Sequence, residues 1–475
     1  MTLLHDTFTH DLVVIGAGPA GMRAALTAEE QGLRVLLLDE QPRPGGQIYR
    51  HITAVSSERA ARLGADYQYG ALLTTSLTHS KVEVRYGASV WAVDKGLTVT
   101  VQQGGRTFQV RAPQLIAATG AMERPSPLPG WTLPGVLNAG AAQILLKSAA
   151  SVPKGPTVLV GGGPLLLLVA GQLVDAGAQV AAVVETSPSA NRWQALRHLG
   201  GALLAPAYLL KGLRMLGRLK AAGIPHFTEA TNVRVEGEDR AREITFQAGK
   251  RYHRVAVDTV LLHNGVVPNT QLTRLLRVDH HWDDAQLAWH PTVDQSYQTS
   301  LPGLRVAGDG AAIAGALAAE ASGALAALAA MRAMGRLSAT QEATLAEPWH
   351  AKGVRQARIR PFLDALYRPA QWLLTPADDT VVCRCEEVTA GRVREMARLG
   401  CQGPNQTKFF SRCGMGPCQG RQCGITVSQL LAQSLGKTVQ EVGSYRIRAP
   451  LKPVPLESLA ALSDASSQPD EGEPA

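Results

Sequence analysis

The first part of the chain alternates short apolar runs with an amphipathic segment, which predicts parallel strands joined by a helix. Leu12 to Ile15 is an apolar run of strand length, and Val35 to Leu38 is a second one. The segment between them has helical patterning as far as about Gln31. Short apolar runs bounded by turn residues are typical of strands that are buried on both faces. We therefore predict a βαβ unit over residues 11–39.

Similar patterning continues along the chain and predicts an α/β architecture. A second βαβ pattern covers residues 157–185, and an apolar strand followed by a long alanine-rich helix covers residues 304–334. Alternating runs between Val82 and Val110, separated by glycines, predict a meander inserted into the first domain. Residues 51–80 show no clear period of apolar residues, so we expect an irregular surface segment there.

The turn after the first strand is rich in glycine, and each glycine has a physical role. Gly16 allows a tight turn, Gly18 allows the backbone to approach a pyrophosphate, and Gly21 allows the helix to pack on the strand. An acid at the end of the second strand accepts hydrogen bonds from ribose hydroxyls, which favours an unphosphorylated ribose. The candidate residues for this dinucleotide are Gly16, Gly18, Pro19, Ala20, Gly21, Asp39, Glu40, Gly46 and Gln47.

Two further strand ends have residues that suit a flavin. Thr119 and Gly120 close an apolar strand with small residues, which leaves room for a cofactor. Gly308 and Asp309 stand between a strand and the alanine-rich helix, where the carboxylate can bind a ribityl chain. The alternative is that Asp309 caps a helix; together with the first glycine turn, we favour the flavin.

The second βαβ pattern has the candidate nucleotide residues Gly161, Gly163 and Glu185, but Leu166 stands where the third glycine is expected. That leucine places close helix packing and a full nicotinamide dinucleotide in doubt. Two interpretations stay open, namely a site for NAD(H) or another adenine nucleotide, and a buried βαβ unit without a ligand.

Composition narrows the class of protein. The chain has 475 residues, enough for two to four domains, and its net charge of +8 is spread along the sequence. We interpret this charge as a solvated surface with phosphate sites, and we expect no nucleic-acid partner. The residues before the first strand are too few and too polar for a signal peptide, so we expect a cytoplasmic protein. Glycines and Pro164 interrupt the apolar stretch 157–174, so no integral membrane segment is expected.

All six cysteines lie between Cys383 and Cys423. The cysteine-free first 382 residues exclude the redox-active pair of thioredoxin-reductase or lipoamide-dehydrogenase mechanisms. A [2Fe-2S] cluster needs four thiolates, and a C-x-C pair followed by a C-x4-C pair supplies them. Zinc is the alternative metal at these cysteines, and Cys413 could replace one of the four ligands. The candidate ligands are Cys383, Cys385, Cys418 and Cys423.

These motifs carry a family resemblance in two parts. Residues 11 to about 335 resemble flavoproteins with two dinucleotide-binding domains. The run Gly-Met-Gly-x-Cys-Gln-Gly-x-x-Cys, residues 414–423, resembles the bacterioferritin-associated-ferredoxin-like [2Fe-2S] domain. Together they resemble the alpha (A) subunits of heteromeric amine dehydrogenases, a family that includes D-hydroxyproline dehydrogenase, octopine and nopaline oxidases and hydrogen cyanide synthase.

The resemblance implies an electron-transfer subunit with FAD and a [2Fe-2S] cluster. The implied partner is a catalytic FAD-containing oxidoreductase subunit that oxidises the C–N bond of an amino acid or opine, with D-hydroxyproline-like compounds preferred. A small ferredoxin-like subunit is a second candidate partner, and membrane association would come through partners. The implied domains are an FAD domain in two pieces (1–150 and 270–340), a second dinucleotide-binding domain (151–269), a basic linker (341–378), a [2Fe-2S] domain (379–448) and a disordered tail (449–475).

Two rival functions remain open at this stage. One is a self-contained NAD(P)H-dependent FAD/[2Fe-2S] reductase that uses the second nucleotide site. The other is a non-catalytic docking subunit whose cysteines bind zinc. The sequence offers no acid, base or nucleophile that can be assigned to substrate chemistry, so the catalytic residues stay unknown.

Overall fold

A computed structural model of the chain describes residues 9–465, and it begins with the predicted βαβ unit. The elements up to residue 123 are β1 (Leu12–Ile15), α1 (Pro19–Glu30), β2 (Val35–Asp39), α2 (Ser57–Leu63), α3 (Ala65–Gln68), α4 (Gly70–His79), β3 (Glu83–Tyr86), β4 (Ser89–Val93), β5 (Thr98–Gln103), β6 (Arg106–Arg111), β7 (Gln114–Ala117) and β8 (Ala121–Glu123).

The middle of the chain contains a second α/β unit. Its elements are β9 (Val136–Asn138), α5 (Ala139–Ala149), β10 (Thr157–Gly162), α6 (Pro164–Asp175), β11 (Val180–Glu185), α7 (Ala190–Leu196), α8 (Leu199–Leu203), α9 (Pro206–Ala221), β12 (His226–Phe227), β13 (Thr231–Glu236), β14 (Glu243–Ala248), β15 (Arg251–Ala256), β16 (Thr259–Asn264) and β17 (Val266–Pro268).

The last part of the chain returns to the first unit and then continues into the cysteine region. Its elements are α10 (Gln271–Leu275), β18 (His280–Asp283), β19 (Ala288–Pro291), β20 (Leu304–Val306), a 3₁₀ turn (Gly308–Gly310), α11 (Ala316–Ala333), α12 (Ala339–Ala357), α13 (Arg360–Leu366), α14 (Gln371–Leu374), β21 (Val381–Cys383), β22 (Val388–Thr389), α15 (Ala390–Arg398), α16 (Pro404–Ser411), α17 (Gly424–Leu435), α18 (Val439–Val442) and α19 (Leu456–Ala465).

The first sheet is parallel and is completed by a late strand. Its order is β20-β7-β1-β2-β3, and all four residues of β1 are buried. Because β20 follows the second unit in sequence, this α/β unit consists of two separate pieces of chain. The strand β3 was expected in the meander, but it pairs parallel with β2 instead. The antiparallel meander contains only β4, β5 and β6.

The second sheet, also parallel, begins earlier than the expected boundary at residue 151. Its order is β12-β11-β10-β16-β9, and β9 pairs with β16. Residues 136–149 therefore lie with the second sheet, although sequence analysis assigned them to the first domain. The three-stranded sheet β13-β14-β15 is antiparallel and precedes β16.

Three other segments differ from expectation. Residues 57–79 are mostly helical, because Tyr67, Leu73 and Leu77 are buried in the same core as α1. The expected linker 341–378 contains α12, α13 and α14. Residues 450–465 of the expected disordered tail are structured and end in α19, whereas residues 466–475 lie outside the described range.

One helix among the described residues is long and apolar enough to cross a membrane by length and composition alone. This helix is α11, and 67% of that stretch is buried inside the protein. It packs against α1 and α12. The apolar stretch 157–174 divides into β10 and α6, as the glycine interruption predicted.

The cysteine region packs directly on the first unit. Buried residues of β1 and β2, such as Val13 and Leu36, share one hydrophobic core with Val427 and Leu430 of α17. The cysteine region also contacts the second unit, because the indole N–H of Trp131, which is buried in that unit's core, donates to the carbonyl of Val381 at 2.6 Å. The cysteine loops are therefore part of the same packed body as the first glycine turn.

Candidate cofactor sites

The first glycine turn is so closely packed that only glycine fits at two positions. A Cβ on Gly16, whose φ is +108°, would lie 2.4 Å from the carbonyl oxygen of Ala118. A Cβ on Gly21 would lie 1.7 Å from the carbonyl oxygen of Gly16. Helix α1 therefore begins against the end of β1, as the motif predicted.

Bare backbone borders the beginning of α1. A Cβ on Gly46 would lie 2.9 Å from the Cα of Gly18, so two chain segments approach closely there. Gly18 is the N-cap of α1, Pro19 follows it, and no side chain caps the helix. The uncapped N–H groups, including that of Ala20, are available to an anion such as a pyrophosphate.

The acid at the end of β2 is held firmly by the backbone. Asp39 is buried, and its two carboxylate oxygens accept the N–H groups of Ala17 at 2.5 Å and Gln41 at 2.7 Å. Burial raises the pKa of Asp39 above its usual value, and these hydrogen bonds oppose the rise. Glu40 is exposed and forms an ion pair with Lys452, so Asp39 is the better placed of the two candidates.

Sequence reasoning did not find Lys147, a buried residue that holds the loop after Gly46. Its ammonium donates to the carbonyl oxygens of Gln47 at 3.3 Å and Ile48 at 2.9 Å, and to the side-chain oxygen of Gln143 at 2.9 Å. Burial lowers the pKa of Lys147 to about 7. No pattern in the sequence distinguished this lysine from a solvated one.

The other flavin candidates lie at neighbouring strand ends. The hydroxyl of Thr119 donates to the carbonyl of Asn269 at 3.1 Å, and Gly120 has a φ of +63° with open space where a Cβ would be. One carboxylate oxygen of Asp309 accepts the N–H groups of Ala314 at 2.9 Å and Gly315 at 3.0 Å. Because β7 and β20 are adjacent in the sheet, these residues lie at the same edge as the first glycine turn, together with Gly308.

The second glycine turn matches the first at its leading glycine, since Gly16 and Gly161 both have positive φ values, but it differs at the next one, because φ is −78° at Gly18 and +116° at Gly163. Gly161 and Gly163 have φ values of +134° and +116°, and Gly163 is the uncapped N-terminus of α6. Leu166 is buried in the core beneath this turn. The carboxylate of Glu185 contacts the imidazole of His226 at 3.2 Å.

Side chains of the chain itself lie over this second turn. A Cβ on Gly163 would lie 3.5 Å from the imidazole Nε2 of His263, and one on Gly162 would lie 2.6 Å from the hydroxyl of Ser187. The other imidazole nitrogen of His263 contacts Glu123 at 2.6 Å; His263 is buried and Glu123 is partly buried. By contrast, no side chain lies within 4 Å of a Cβ built on Gly18 in the first turn.

Five of the six cysteines form two groups. The sulfur atoms of Cys383, Cys413 and Cys423 lie within 4.8 Å of one another and are buried. Cys385 is exposed and is hydrogen-bonded to Cys418. The four predicted ligands therefore form two pairs, Cys383 with Cys423 and Cys385 with Cys418, and Cys413 lies beside the buried pair.

Hydrogen bonds favour a thiolate inside the buried group. The thiols of Cys413 and then Cys423 lower the pKa of Cys383 to about 2, and the same contact with Cys383 raises the pKa of Cys413 to about 12. The N–H of Gly414 also donates to the Cys383 sulfur at 3.5 Å. A sulfur set with backbone N–H donors fits either an iron–sulfur cluster or zinc.

Tyr445 was not predicted from the sequence, and it packs across the glycine-rich cysteine loop. A Cβ on Gly414 or Gly420 would lie 2.6 Å or 2.5 Å from its ring. The hydroxyl of Tyr445 lies 4.0 Å from the sulfur of Cys423. The lack of a side chain at these two glycines therefore allows the ring of Tyr445 to pack closely on the loop, in addition to keeping the loop open.

A short segment connects the cysteine loop with the first nucleotide site. The side chain of Gln419 donates to the carbonyl of Pro450 at 2.8 Å, and Arg421 donates to that of Leu451 at 2.7 Å. The next residue, Lys452, pairs with Glu40 at the end of β2. This segment, 450–452, was expected to be disordered, yet it contacts both predicted sites.

Comparison with protein families identifies two matching regions. Residues 10–335 match the family described as Pyridine nucleotide-disulphide oxidoreductase, and residues 378–463 match the Sarcosine oxidase A3 domain. The first match covers both sheets and the first glycine turn, and the second covers the cysteine region.

Similar proteins extend over nearly the whole chain. The opine oxidase A subunit of Agrobacterium tumefaciens is 46% identical over 95% of this chain and 92% of its own length. Hydrogen cyanide synthase subunit HcnB of Pseudomonas aeruginosa is 33% identical over 95% of this chain and 98% of its own length. Among solved structures, L-proline dehydrogenase from P. horikoshii has a TM-score of 0.70 at 20% identity, covering 95% of this chain and 79% of that one. The structural match supports the fold alone.

Proposed function

We propose the function from one premise: the chain belongs to the Pyridine nucleotide-disulphide oxidoreductase family and is an FAD-dependent oxidoreductase subunit related to the opine oxidase A subunit. On that premise, the chain is an electron-transfer subunit that holds FAD at the first glycine turn and a [2Fe-2S] cluster at the cysteines. It works within a heteromeric dehydrogenase that oxidises the C–N bond of an amino acid or opine.

The residues of the first turn suit the parts of FAD. The uncapped N-terminus of α1 binds the pyrophosphate, Asp39 accepts the ribose hydroxyls, and Asp309 accepts a hydrogen bond from the ribityl chain. The backbone of Gly18 and Gly46 leaves the approach free of side chains. The N-terminus of α11, which no side chain caps, stabilises negative charge on a reduced isoalloxazine ring.

The cysteine pairs suit a cluster with two iron ions. We assign Cys383 and Cys423 to one iron and Cys385 and Cys418 to the other, because the two residues of each pair lie close together. In this assignment Cys413 remains a thiol that donates a hydrogen bond to the Cys383 sulfur. When bound, FAD supplies two-electron chemistry and the cluster supplies one-electron chemistry.

One observation carries this proposal. Segment 450–452 contacts the cysteine loop through Gln419 and Arg421, and contacts the end of β2 through Glu40. The same cysteine region shares a hydrophobic core with β1 and β2. A fixed arrangement of two redox sites in one body is what an electron relay requires.

The partners and the compartment belong to the proposal as well. The names of the relatives describe subunits of opine oxidase and hydrogen cyanide synthase, so we assign the chemistry on the substrate to a separate FAD-containing protein of the same complex. A small ferredoxin-like protein is a second candidate partner. We place the complex in the cytoplasm, and a D-hydroxyproline-like compound is the preferred substrate.

Anaerobic addition of NADH to the purified chain distinguishes an electron-transfer subunit from a self-contained reductase. The second glycine turn favours the rival, because the N-terminus of α6 has no side-chain cap and could bind a dinucleotide phosphate. However, His263 and Ser187 lie over that turn, so we expect no reduction by NADH. Anaerobic NADH added to the purified chain should leave its flavin spectrum unchanged, whereas amino acid or opine should reduce it once the partner subunit is present. Rapid bleaching by NADH alone would contradict the relay.

A further inference from the structure

The helices α7, α8 and α9 carry an unusual share of the exposed apolar side chains. Nine of the 21 large apolar side chains that are exposed in the described residues lie between Trp193 and Leu216. Trp193 is 75% exposed, and Leu203, Leu204 and Leu213 are 62%, 63% and 67% exposed. We call the exposed apolar side chains from Trp193 to Leu216 the leucine-rich surface.

Helix α9 buries very little of its surface against the rest of the protein. Only Leu219 is buried among the 16 residues of α9. Leu210, Leu213 and Leu216 recur at steps of three and are exposed, so they form one outward face. Apolar stripes on helices normally face a partner, and exposed apolar patches mark interaction sites.

The segment that carries this surface has charged side chains of one sign only. Residues 186–228 contain six lysines and arginines and no aspartate or glutamate. Arg192, Lys211 and Arg218 are paired with acids from other segments, whereas Arg197, Arg214 and Lys220 form no ion pair within residues 9–465. The three basic side chains without an ion pair leave a net positive charge along this surface, which favours an occupant that carries negative charge.

We propose that the leucine-rich surface lies on an anionic lipid bilayer. Leucines dominate it, and leucine is under-represented among the residues that anchor protein–protein interfaces, which favours fluid hydrocarbon over a shaped partner. Trp193 and Tyr208 add side chains with an apolar body and a polar tip, which suit the headgroup level. No helix in α7–α9 is among the spans that could cross a membrane, so the segment lies along the surface.

Vesicle flotation of the full-length chain tests this directly. The chain should float with phosphatidylcholine vesicles that contain phosphatidylglycerol and should bind those of phosphatidylcholine alone far more weakly. Arg214→Glu should weaken binding at least about fivefold, because each basic side chain near an anionic surface contributes about 1 kcal/mol. Lys250→Glu, on an exposed turn elsewhere, should not weaken it.

Apolar variants give a second readout. Leu213→Ser should weaken binding, whereas Leu399→Ser, which changes a leucine that is 72% exposed in the cysteine region, should not. Vesicles should also shift tryptophan fluorescence to the blue, and Trp193→Phe should remove that shift. Equal flotation of the two serine variants would overturn the proposal. The proposal would also be overturned if the chain did not bind vesicles and Leu213→Ser instead dissociated a dimer or a complex with the partner subunit.

Discussion

Lys147 illustrates how a single buried charge makes stability depend on pH. Its pKa is about 7 in the folded protein, because of burial, against 10.5 for an ordinary lysine. Between these values the unfolded chain binds more protons than the folded chain, so the free energy of unfolding rises with pH. The lysine also holds the loop next to Gly46, which ties this charge to the first nucleotide site.

We expect the free energy of unfolding to increase by about 2 kcal/mol from pH 7 to pH 9 through this group. Lys147→Met should lose that increase and should also weaken FAD binding, because the carbonyl groups of Gln47 and Ile48 lose their donor. Urea unfolding of both proteins at the two pH values measures the difference. Lys154→Met, at an exposed position, should keep the wild-type pH profile; an identical loss in both variants would contradict the role of Lys147.

Glu320 is a buried acid that joins three parts of the chain. Its side chain is 1% exposed and contacts Arg23 at 2.9 Å and Lys352 at 2.5 Å, and Tyr69 donates to it at 3.0 Å. The sequence placed Lys352 in the expected basic linker, residues 341–378. The structure corrects this, because α12 packs on α11 and brings the lysine to the buried acid.

Glu320→Ala should lower the free energy of unfolding by about 3 kcal/mol or more, because two cations lose their partner where water has little access. Glu58→Ala removes an exposed pair with Arg62 and should cost about 0.5 kcal/mol or less. Denaturant titration of the two variants checks the contrast. Comparable losses in both would show that burial of Glu320 contributes nothing.

At the scale of elements, the packing of α1 on α11 depends on a glycine outside every motif. A Cβ on Gly323 would lie 2.1 Å from the carbonyl oxygen of Ala20, one residue before Gly21. Helix α11 therefore approaches the backbone of the helix that begins at the first glycine turn. The alanine-rich composition of α11 suits this close packing.

Gly323→Ala should lower the free energy of unfolding by about 2 kcal/mol and reduce FAD affinity, because α1 must shift. Gly212 provides the control, since it lies inside α9 with nothing within 4 Å of its Cβ position. Gly212→Ala should raise stability by up to about 1 kcal/mol through helix propensity. Thermal unfolding and flavin retention on dialysis measure both effects, and a neutral Gly323→Ala would refute the packing argument.

The elements that the sequence predicted well are those whose boundaries are determined by nearby residues, such as a glycine turn. The units β1-α1-β2 and β10-α6-β11 carry their glycine turns within a few residues, so their strands and helices were predicted closely. The edge strand β3 was assigned to the meander because a short alternating run does not reveal which strand it pairs with. Residues 450–465 have a composition typical of disorder, yet Leu451 bonds to Trp91 at 2.6 Å and Ser458 accepts from Thr107 at 3.1 Å.

At the scale of the whole molecule, tertiary packing decides how the cysteines are grouped. Spacing alone left Cys413 as a possible replacement ligand, and in the fold it is buried beside Cys383 and Cys423, within a hydrophobic core that also includes residues of α17 and of the first sheet. The same packing places Tyr445 and segment 450–452 against the loop. None of these contacts has a signal in the sequence, because their partners are distant along the chain.

Serine variants test the ligand assignment. Cys385→Ser should lose most of the iron, because one iron ion keeps only Cys418 from the chain. Cys413→Ser should retain iron and shift the reduction potential of the cluster, since it changes only a neighbouring hydrogen-bond donor. Iron analysis and redox titration distinguish the two. Loss of iron from Cys413→Ser with retention in Cys385→Ser would reverse the assignment.

The proposed electron relay requires that this one chain binds both a flavin and an iron–sulfur cluster. Its most direct test is the content of FAD, iron and acid-labile sulfide in the full-length chain isolated without oxygen. We expect one FAD, two iron ions and two sulfides per chain. A chain that retains zinc at the cysteines, or that contains neither flavin nor iron, would contradict it.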